Sequence, residues 1–531
     1  MYVEVPPPQS RSIHLVHGAH NRKITRTAMF AGLGVVVVAL GGLYVLCGEL
    51  DNFLIACATI FSGYVLIMSS VSLVSLVYMQ RESGIGDELL PAVPNGPSAE
   101  TFAVLIPARH ETDVLAETLL NTMWTQRDHP AHTVFAIVND DDPDTAGVAA
   151  RTATVVNLAV AQDRSYEQIR SELHTALARE AAPERDPNRL AATVPPGPLQ
   201  LIVYPLGNRP PNKPQQLNYA FWRLHESFSV FTVLDAESIA APGLLRAVDQ
   251  AFQDHPGVEI IQGGIQLMDP QITGSRWQRI GRRLHRWYAW HNLLEYKRWF
   301  SSQMRYQSDR GFMPLGGNTI FLRAQLLART EAWPMSLTED CELGVRATAI
   351  HRARTLTFYD PRLTTREETP PSLATLIKQR RRWNIGFLQS LVAGNWRSLP
   401  TLRQRVIAAQ ILSMSLFQAL SLAVLPLVLV TMFWIDTPAP LAVAGWIPLV
   451  PIALSVALQL LHLREYSRGF GRRVPWYVYV LFVVTFFPYQ LVLSFAAVQA
   501  MVWYGLGRLG WDKTAHVGDH FEEQVAAEAA A

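Results

Sequence analysis

Two textures of hydrophobic patterning alternate along this chain. From about Ala28 to Gly48, and again from Asn52 to Gln80, no charge interrupts the apolar run, and each run exceeds the ~20 residues a helix needs to cross a bilayer. Three more uncharged stretches follow Arg405: Val406 to Ile435, Thr437 to Leu461 and Val474 to Gly507. The last would be about 51 Å long as one helix against ~30 Å of hydrocarbon, so it reads as one long tilted helix or as a pair broken at Pro488. Between Thr101 and about Arg366 the period changes. Short β-branched and aromatic runs at Phe102 to Pro107, Thr133 to Val138, Leu201 to Tyr204 and Phe231 to Leu234 are separated by amphipathic stretches at Asp113 to Trp124 and Pro214 to Leu224. Strand and helix in alternation predict an α/β fold with a doubly wound, mainly parallel sheet. Residues 146–198 interrupt that rhythm and read as an insertion of two helices and a surface loop.

Composition sharpens the membrane reading. Of 531 residues, 49% are hydrophobic and only 17% charged, a balance foreign to disordered chains and unusual for soluble enzymes. The formal net charge of +2 argues against a protein that coats nucleic acid. Cys47, Cys57 and Cys341 lack the spacing of a zinc site or a disulfide framework. Basic residues precede the first apolar run and Arg81 follows the second, while only Glu49-Leu50-Asp51 lies between them. The positive-inside rule therefore puts the N-terminus and the α/β region in the cytoplasm, and Arg464, Arg468, Arg472 and Arg473 mark a second cytoplasmic loop. Trp277 to Phe300 interleaves tryptophan with arginine, a mixture that suits a membrane interface, a sugar-stacking surface or packing on the sheet.

Candidate chemistry gathers at the ends of the predicted strands, where open α/β sheets bind ligands. Asp235-Ala236-Glu237 closes the Phe231 run, and two carboxylates one residue apart suit a hard cation that leaves its other positions to water and phosphate, or simply begin a turn. Asn139-Asp140-Asp141-Asp142 ends the second strand, where a carboxylate accepts from a base or ribose or merely forms an acidic turn before Pro143. Lys213 stands at a helix start, as a phosphate-side cation or a solvated loop lysine. Ser336 and Glu339 fit a capping box, which leaves Asp340 unused and available as a proton acceptor. Upstream, Pro314-Leu315-Gly316-Gly317-Asn318 permits close backbone approach. Gln379, Arg382 and Trp383 share a predicted helix and offer bidentate phosphate contacts and a flat apolar face, or a basic anchor to anionic lipid.

Taken in order, Asp-Ala-Glu, Leu-Gly-Gly-Asn, Thr-Glu-Asp and Gln-x-x-Arg-Trp between membrane spans resemble the family 2 membrane glycosyltransferases, relatives of cellulose, hyaluronan and chitin synthases. Pro107-Ala108-Arg109-His110-Glu111, Lys213-Pro214-Gln215-Gln216-Leu217-Asn218 and Trp511-Asp512-Lys513-Thr514 are further matching pieces. The resemblance implies a GT-A fold, a UDP-sugar donor, Mg²⁺ or Mn²⁺, and inversion at the anomeric carbon. It implies that one of Asp140, Asp141 and Asp142 holds the base, and that Ala108, Glu111 and Lys213 line the nucleotide. It gives Asp235 and Glu237 to the metal, and Asp340, with Glu339 beside it, to general base catalysis. Gln379, Arg382 and Trp383 would bind the diphosphate and the acceptor end. Glu237 departs from the usual aspartate.

The expected organisation is a tail over 1–27, two spans within 28–80, a linker over 81–100 and a catalytic domain over 101–370. An interface helix over 371–404, three or four spans within 405–507 and a tail over 508–531 complete it. The expected protein is a multi-pass enzyme of the plasma or inner membrane that extends a β-linked polysaccharide through its own helices, with accessory export proteins as possible partners. Transfer of one sugar to a membrane lipid, or a non-catalytic export role, are the alternatives.

Overall fold

The computed structural model describes residues 38–82, 97–178, 184–268, 281 and 286–510. The 1–27 tail, most of the 81–100 linker, Trp277 and the Trp511 to Thr514 piece lie outside them. The chain divides into two compact units.

The first unit holds the α/β domain, residues 82–376 with 394–408 among its described parts. Seven strands form its main sheet: β1 (Phe102–Pro107), β2 (His132–Asn139), β3 (Leu199–Tyr204), β4 (Val230–Val233), β5 (Ile260–Gln262), β7 (Ile320–Arg323) and β8 (Thr355–Thr357). Their order is β3-β2-β1-β4-β7-β5-β8, with β7 antiparallel to both its neighbours and every other pairing parallel. A separate pair joins β6 (Ile265–Met268) to β9 (Thr365–Glu368) in parallel. The expected α/β, GT-A-type sheet is therefore present.

Phe102 to Ile106 are each at most 1% exposed, which explains a strand that is apolar on both sides rather than alternating. Phe102, Val104 and Ile106 enter one core with helices Leu115–Thr125, Pro143–Ala161 and Leu244–Asp254. Ala103 and Leu105 enter the other, with helices Lys213–Leu224 and Glu339–Ala349. Sheet order reverses direction between β1 and β4, so their carboxyl ends form the crevice in which such sheets bind ligands.

Three local readings change. The region read as an insertion contains three helices, Pro143–Ala161, Tyr166–Ala178 and Pro187–Thr193. The first starts before Ala146 and belongs to the core, because Ala146, Ala149 and Ala153 are buried small residues that let it lie close to the sheet. Ser336 is not a helix cap: helix Glu339–Ala349 has Thr338 at its N-cap, and Ser336 Oγ instead accepts the Thr338 amide at 3.4 Å. In the described part of the tryptophan-arginine segment, helix Trp287–Arg298 buries Tyr288, Trp290, Leu293 and Leu294, so packing is the reading that holds there.

The second unit contains helices Leu50–Glu82, Met414–Trp434, Leu449–Gly469 and Trp476–Gly505, together with residues 377–393. Four segments among the described residues are long and apolar enough to cross a membrane: Leu50–Val74, Met414–Thr431, Ala439–Gly469 and Trp476–Gly505. Trp476–Gly505 runs unbroken through Pro488, which decides for one long helix over a broken pair. At 1.5 Å per residue it spans about 45 Å.

Candidate active site

β1 and β4 stay paired one residue beyond the sheet, the Leu234 amide donating to Leu105 O at 3.0 Å, so Asp235 begins where the ladder ends. The Asp235–Ser238 turn is then fixed from three sides. Ser238 N donates to Asp235 O at 3.0 Å, Thr118 Oγ1 of helix Leu115–Thr125 donates to Ala236 O at 2.6 Å, and Ile239 exchanges two 2.9 Å backbone bonds with Arg366 of β9.

Lys213 opens helix Lys213–Leu224, whose N-cap Asn212 accepts the Gln215 amide at 3.0 Å. Its ammonium lies 2.5 Å from Asp235 Oδ1, 3.0 Å from Gly317 O and 3.8 Å from Glu339 Oε1. Burial by itself would lower its pKa, but Asp235, Glu339 and Asp340 outweigh that and hold it above the usual lysine range. This is a cation locked against acids rather than a solvated lysine.

Two glycines bring the remaining elements together. A Cβ on Gly317 would stand 3.3 Å from Asp340 Oδ2 and 3.7 Å from Lys213 Nζ, so the bare backbone lets lysine and aspartate meet around it. A Cβ on Gly344 would reach 2.3 Å from Met313 O, so helix Glu339–Ala349 lies directly on the strand of chain leading into Gly316. Glu339, Asp340 and Glu342 crowd the first turn of that helix, where its dipole favours negative charge.

A carboxylate that the motifs do not include joins this group. Glu367 of β9 is 8% exposed, and Asn318 Nδ2 donates to its Oε1 at 2.5 Å. Burial, then Asp235 and Glu237, push its pKa up to about 8. Glu237 is likewise held well above the ordinary carboxylate range by burial, Asp235 and Glu111. The available signal was chemical: paired acids in a β-strand run, Thr365–Glu368, are out of place in a buried strand unless a site employs them.

At the nucleotide side the three aspartates separate. Asp142 is 3% exposed and committed to structure: it caps helix Pro143–Ala161 through Thr145 N at 3.3 Å and accepts His110 N at 2.6 Å. Asp141 pairs with Arg109 at 2.7 Å on the surface. Asp140 accepts Leu206 N at 3.0 Å through one oxygen, tying the end of β2 to the loop after β3. Ala108 is 2% exposed, and its carbonyl accepts from Gln216 Nε2 at 3.2 Å. The Glu111 amide donates to Thr145 Oγ1 at 3.2 Å, and the Glu111 carboxylate is among the acids that raise the Glu237 pKa.

Gln379, Arg382 and Trp383 belong to the second unit, on helix Leu373–Ala393 with the i, i+3, i+4 spacing of one face. Arg380 lies over the Trp383 ring at 4.5 Å. Arg381 lies 3.5 Å over the Trp503 ring and donates to Gln499 at 3.3 Å, which fastens this helix to helix Trp476–Gly505.

The donor set bears on whether a divalent ion fits. Among the described residues no three His, Cys, Asp or Glu side chains are grouped as a metal cage. Mg²⁺ and similar ions in nucleotide sites take one or two protein carboxylates and fill the rest with water and phosphate. Asp235 and Glu237 fit that demand, and a protonated lysine already lies against one of them as a cation would.

Residues 188–386 match the family model described as glycosyltransferase like family 2. The class that this match and the sheet define is a GT-A, glycosyltransferase-family-2-like domain. No curated protein matches the chain. Among solved structures it is similar to the mannosyltransferase PcManGT from Pyrobaculum calidifontis in complex with GDP-Man and Mn²⁺, at 16% identity over 83% of this chain and 99% of that one, TM-score 0.44. It is also similar to glucosyl-3-phosphoglycerate synthase from Mycobacterium tuberculosis with Mn²⁺, UDP and glucosyl-3-phosphoglycerate, at 12% identity over 57% and 82% of the two chains, TM-score 0.31. TarS from S. aureus in complex with UDP-GlcNAc gives 14% identity over 71% and 93%, TM-score 0.30.

Proposed function

We propose that this chain moves a glycosyl unit from a UDP-sugar to an acceptor hydroxyl with inversion at the anomeric carbon, and that the acceptor is a growing β-linked polysaccharide. The convergence of Lys213, Asp235, Glu339 and Asp340 around Gly317 supports the reading above all: it joins a fixed cation, a metal-type carboxylate and a candidate base at a sheet crevice.

In this reading the acceptor oxygen bonds to the anomeric carbon while its proton passes to the Asp340 carboxylate. The bond from that carbon to the diphosphate oxygen breaks, and the nucleoside diphosphate leaves with the electron pair. Lys213 keeps Asp235 in place and sets positive charge beside the departing phosphates. Mg²⁺ or Mn²⁺, held by Asp235 and Glu237, would supply further charge neutralisation when bound. Asp140 is the base-binding candidate that keeps an oxygen outside its structural bond, since Asp142 is spent as a cap. By the motif they complete, Gln379, Arg382 and Trp383 are assigned to the diphosphate and the acceptor end. The apolar helices support a multi-pass protein, and the arginines between 464 and 473 support a cytoplasmic domain.

The test is nucleotide release by the purified full-length protein with UDP-glucose, UDP-N-acetylglucosamine, UDP-galactose, UDP-glucuronate and GDP-mannose, each with Mg²⁺ and with Mn²⁺. A radiolabelled, glycosidase-sensitive product of high mass supports polymer synthesis. A product that extracts into organic solvent assigns a lipid acceptor instead, and no release from any donor sinks the enzymatic reading.

A further inference from the structure

Beside the backbone bonds that fix the Asp235–Ser238 turn, one side-chain fastening stands apart. Asn318 is 1% exposed and uses both protons of a single amide nitrogen, one to Ser238 Oγ at 2.6 Å and one to Glu367 Oε1 at 2.5 Å. Its side chain thus joins the last residue of the turn to the buried acid of β9. Its backbone is held as firmly. Asn318 O accepts from Gln262 Nε2 at 2.9 Å, while Gln262 Oε1 accepts Gly316 N at 3.0 Å. The next residue, Thr319, is β-branched yet left-handed at φ 53, a conformation tolerated only when its surroundings impose it. Here β4 and the chain after β5 impose it, through Thr319 N to Val233 O and Gly263 N to Thr319 O, both 2.9 Å.

Few substitutes satisfy this arrangement. Aspartate would lose both donors, to Ser238 and to Glu367, and set a carboxylate against the buried acid in place of an amide. Glutamine would need room for a methylene in a packed interior. Alanine would strand a buried hydroxyl and a buried carboxylate.

We infer that Asn318 is a positioning residue for the metal and diphosphate site: its carboxamide holds the turn carrying Asp235 and Glu237 against Glu367, and so sets the affinity of that turn for a divalent ion with a nucleoside diphosphate. The inference rests on the proposed metal role of Asp235 and Glu237. Asn318 touches neither donor nor acceptor in this role; it acts through Ser238 and Glu367.

The experiment measures Mn²⁺ binding to the full-length protein with UDP, from the electron paramagnetic resonance signal of free Mn²⁺, beside the melting temperature of each variant. Residues that orient metal ligands alter metal affinity by about ten- to a hundredfold when replaced, so Asn318→Asp is expected to weaken Mn²⁺ binding at least about tenfold. Combining it with Glu367→Gln reverses the polarity of the pair while keeping one amide, one carboxylate and the same net charge. The double variant is expected to recover Mn²⁺ binding to within about threefold of wild type, a rescue that general loss of packing would not give. Should Asn318→Asp not fold, Ser238→Ala removes one of the two partners and is expected to weaken binding in the same direction. Unchanged Mn²⁺ affinity in the folded single variant overturns the inference, as does a weakened single variant that the second substitution fails to rescue. If wild type itself binds no Mn²⁺ with UDP, the metal role of Asp235 and Glu237 is refuted first, and this inference falls with it.

Discussion

Lys213 is the group whose removal most directly probes how this site is built. Its Nζ to Asp235 Oδ1 distance of 2.5 Å corresponds to about 6–7 kcal/mol of attraction at an effective dielectric near 20. Desolvation takes back several kcal/mol, and removing one partner of a fully buried pair costs about 3–5 kcal/mol. The side chains here are 16% and 32% exposed, so water screens the charge that remains, and Lys213→Met is expected to destabilise by about 2 kcal/mol at pH 8. For a domain of this size that lowers the melting temperature by roughly 3 °C. The lysine's raised pKa means that its contribution is fully present below its ordinary 10.5, so it stays constant across neutral pH. Glu367, whose pKa the lysine draws down, does titrate there at about 8, so the variant should lose less at pH 6, where Glu367 is largely protonated, than at pH 8. Thermal unfolding of the purified protein at both pH values measures this directly. A Lys213→Met protein melting within about 1 °C of wild type at pH 8 would show that the ammonium is not balancing the acids.

Other expectations follow from the same geometry. Asp340→Asn should lower sugar transfer by about 10²–10⁴-fold while calorimetry finds UDP binding little changed; full transfer activity would remove Asp340 from the base role. In Glu367 the folded pKa of about 8 exceeds the ordinary 4.5, so the folded state binds the extra proton and stability falls as pH rises from about 4.5 to about 8. Glu367→Gln should flatten that slope of melting temperature against pH, and an unaltered slope would refute the cause. Gly344→Ala sets about 1 kcal/mol of helix propensity against a Cβ 2.3 Å from Met313 O and 2.7 Å from Leu315 N, both backbone atoms. Overpacking, at about 1–3 kcal/mol and more for contacts this short, should win, and an equal or higher melting temperature would contradict it.

The local period of the chain was enough to determine the elements. Alternation of short apolar runs and amphipathic helices over 101–366 carries a parallel α/β sheet because crossover connections bury both faces, as the uniformly buried Phe102 to Ile106 confirm. Uncharged runs announce membrane-length helices because no other backbone arrangement of that length satisfies its own polar groups in lipid. Spacing also picked out Asp235, Glu237, Lys213 and Asp340 as candidates, since each stands at a strand end or helix start. Three things only the tertiary structure decided. Which of three consecutive aspartates is free for a ligand depends on the amides that come to meet them, and Thr145 N and His110 N claim Asp142. Glu367 lies more than a hundred residues from Asp235 in sequence, so no local pattern ties it to that turn; the Ile239 to Arg366 bridge and the Asn318 carboxamide do. The start of helix Glu339–Ala349 is likewise not set by its own segment. A capping box is a rule about one segment, whereas Glu339 is buried facing Lys213 from another helix, and charge between distant segments outweighs a local hydrogen bond.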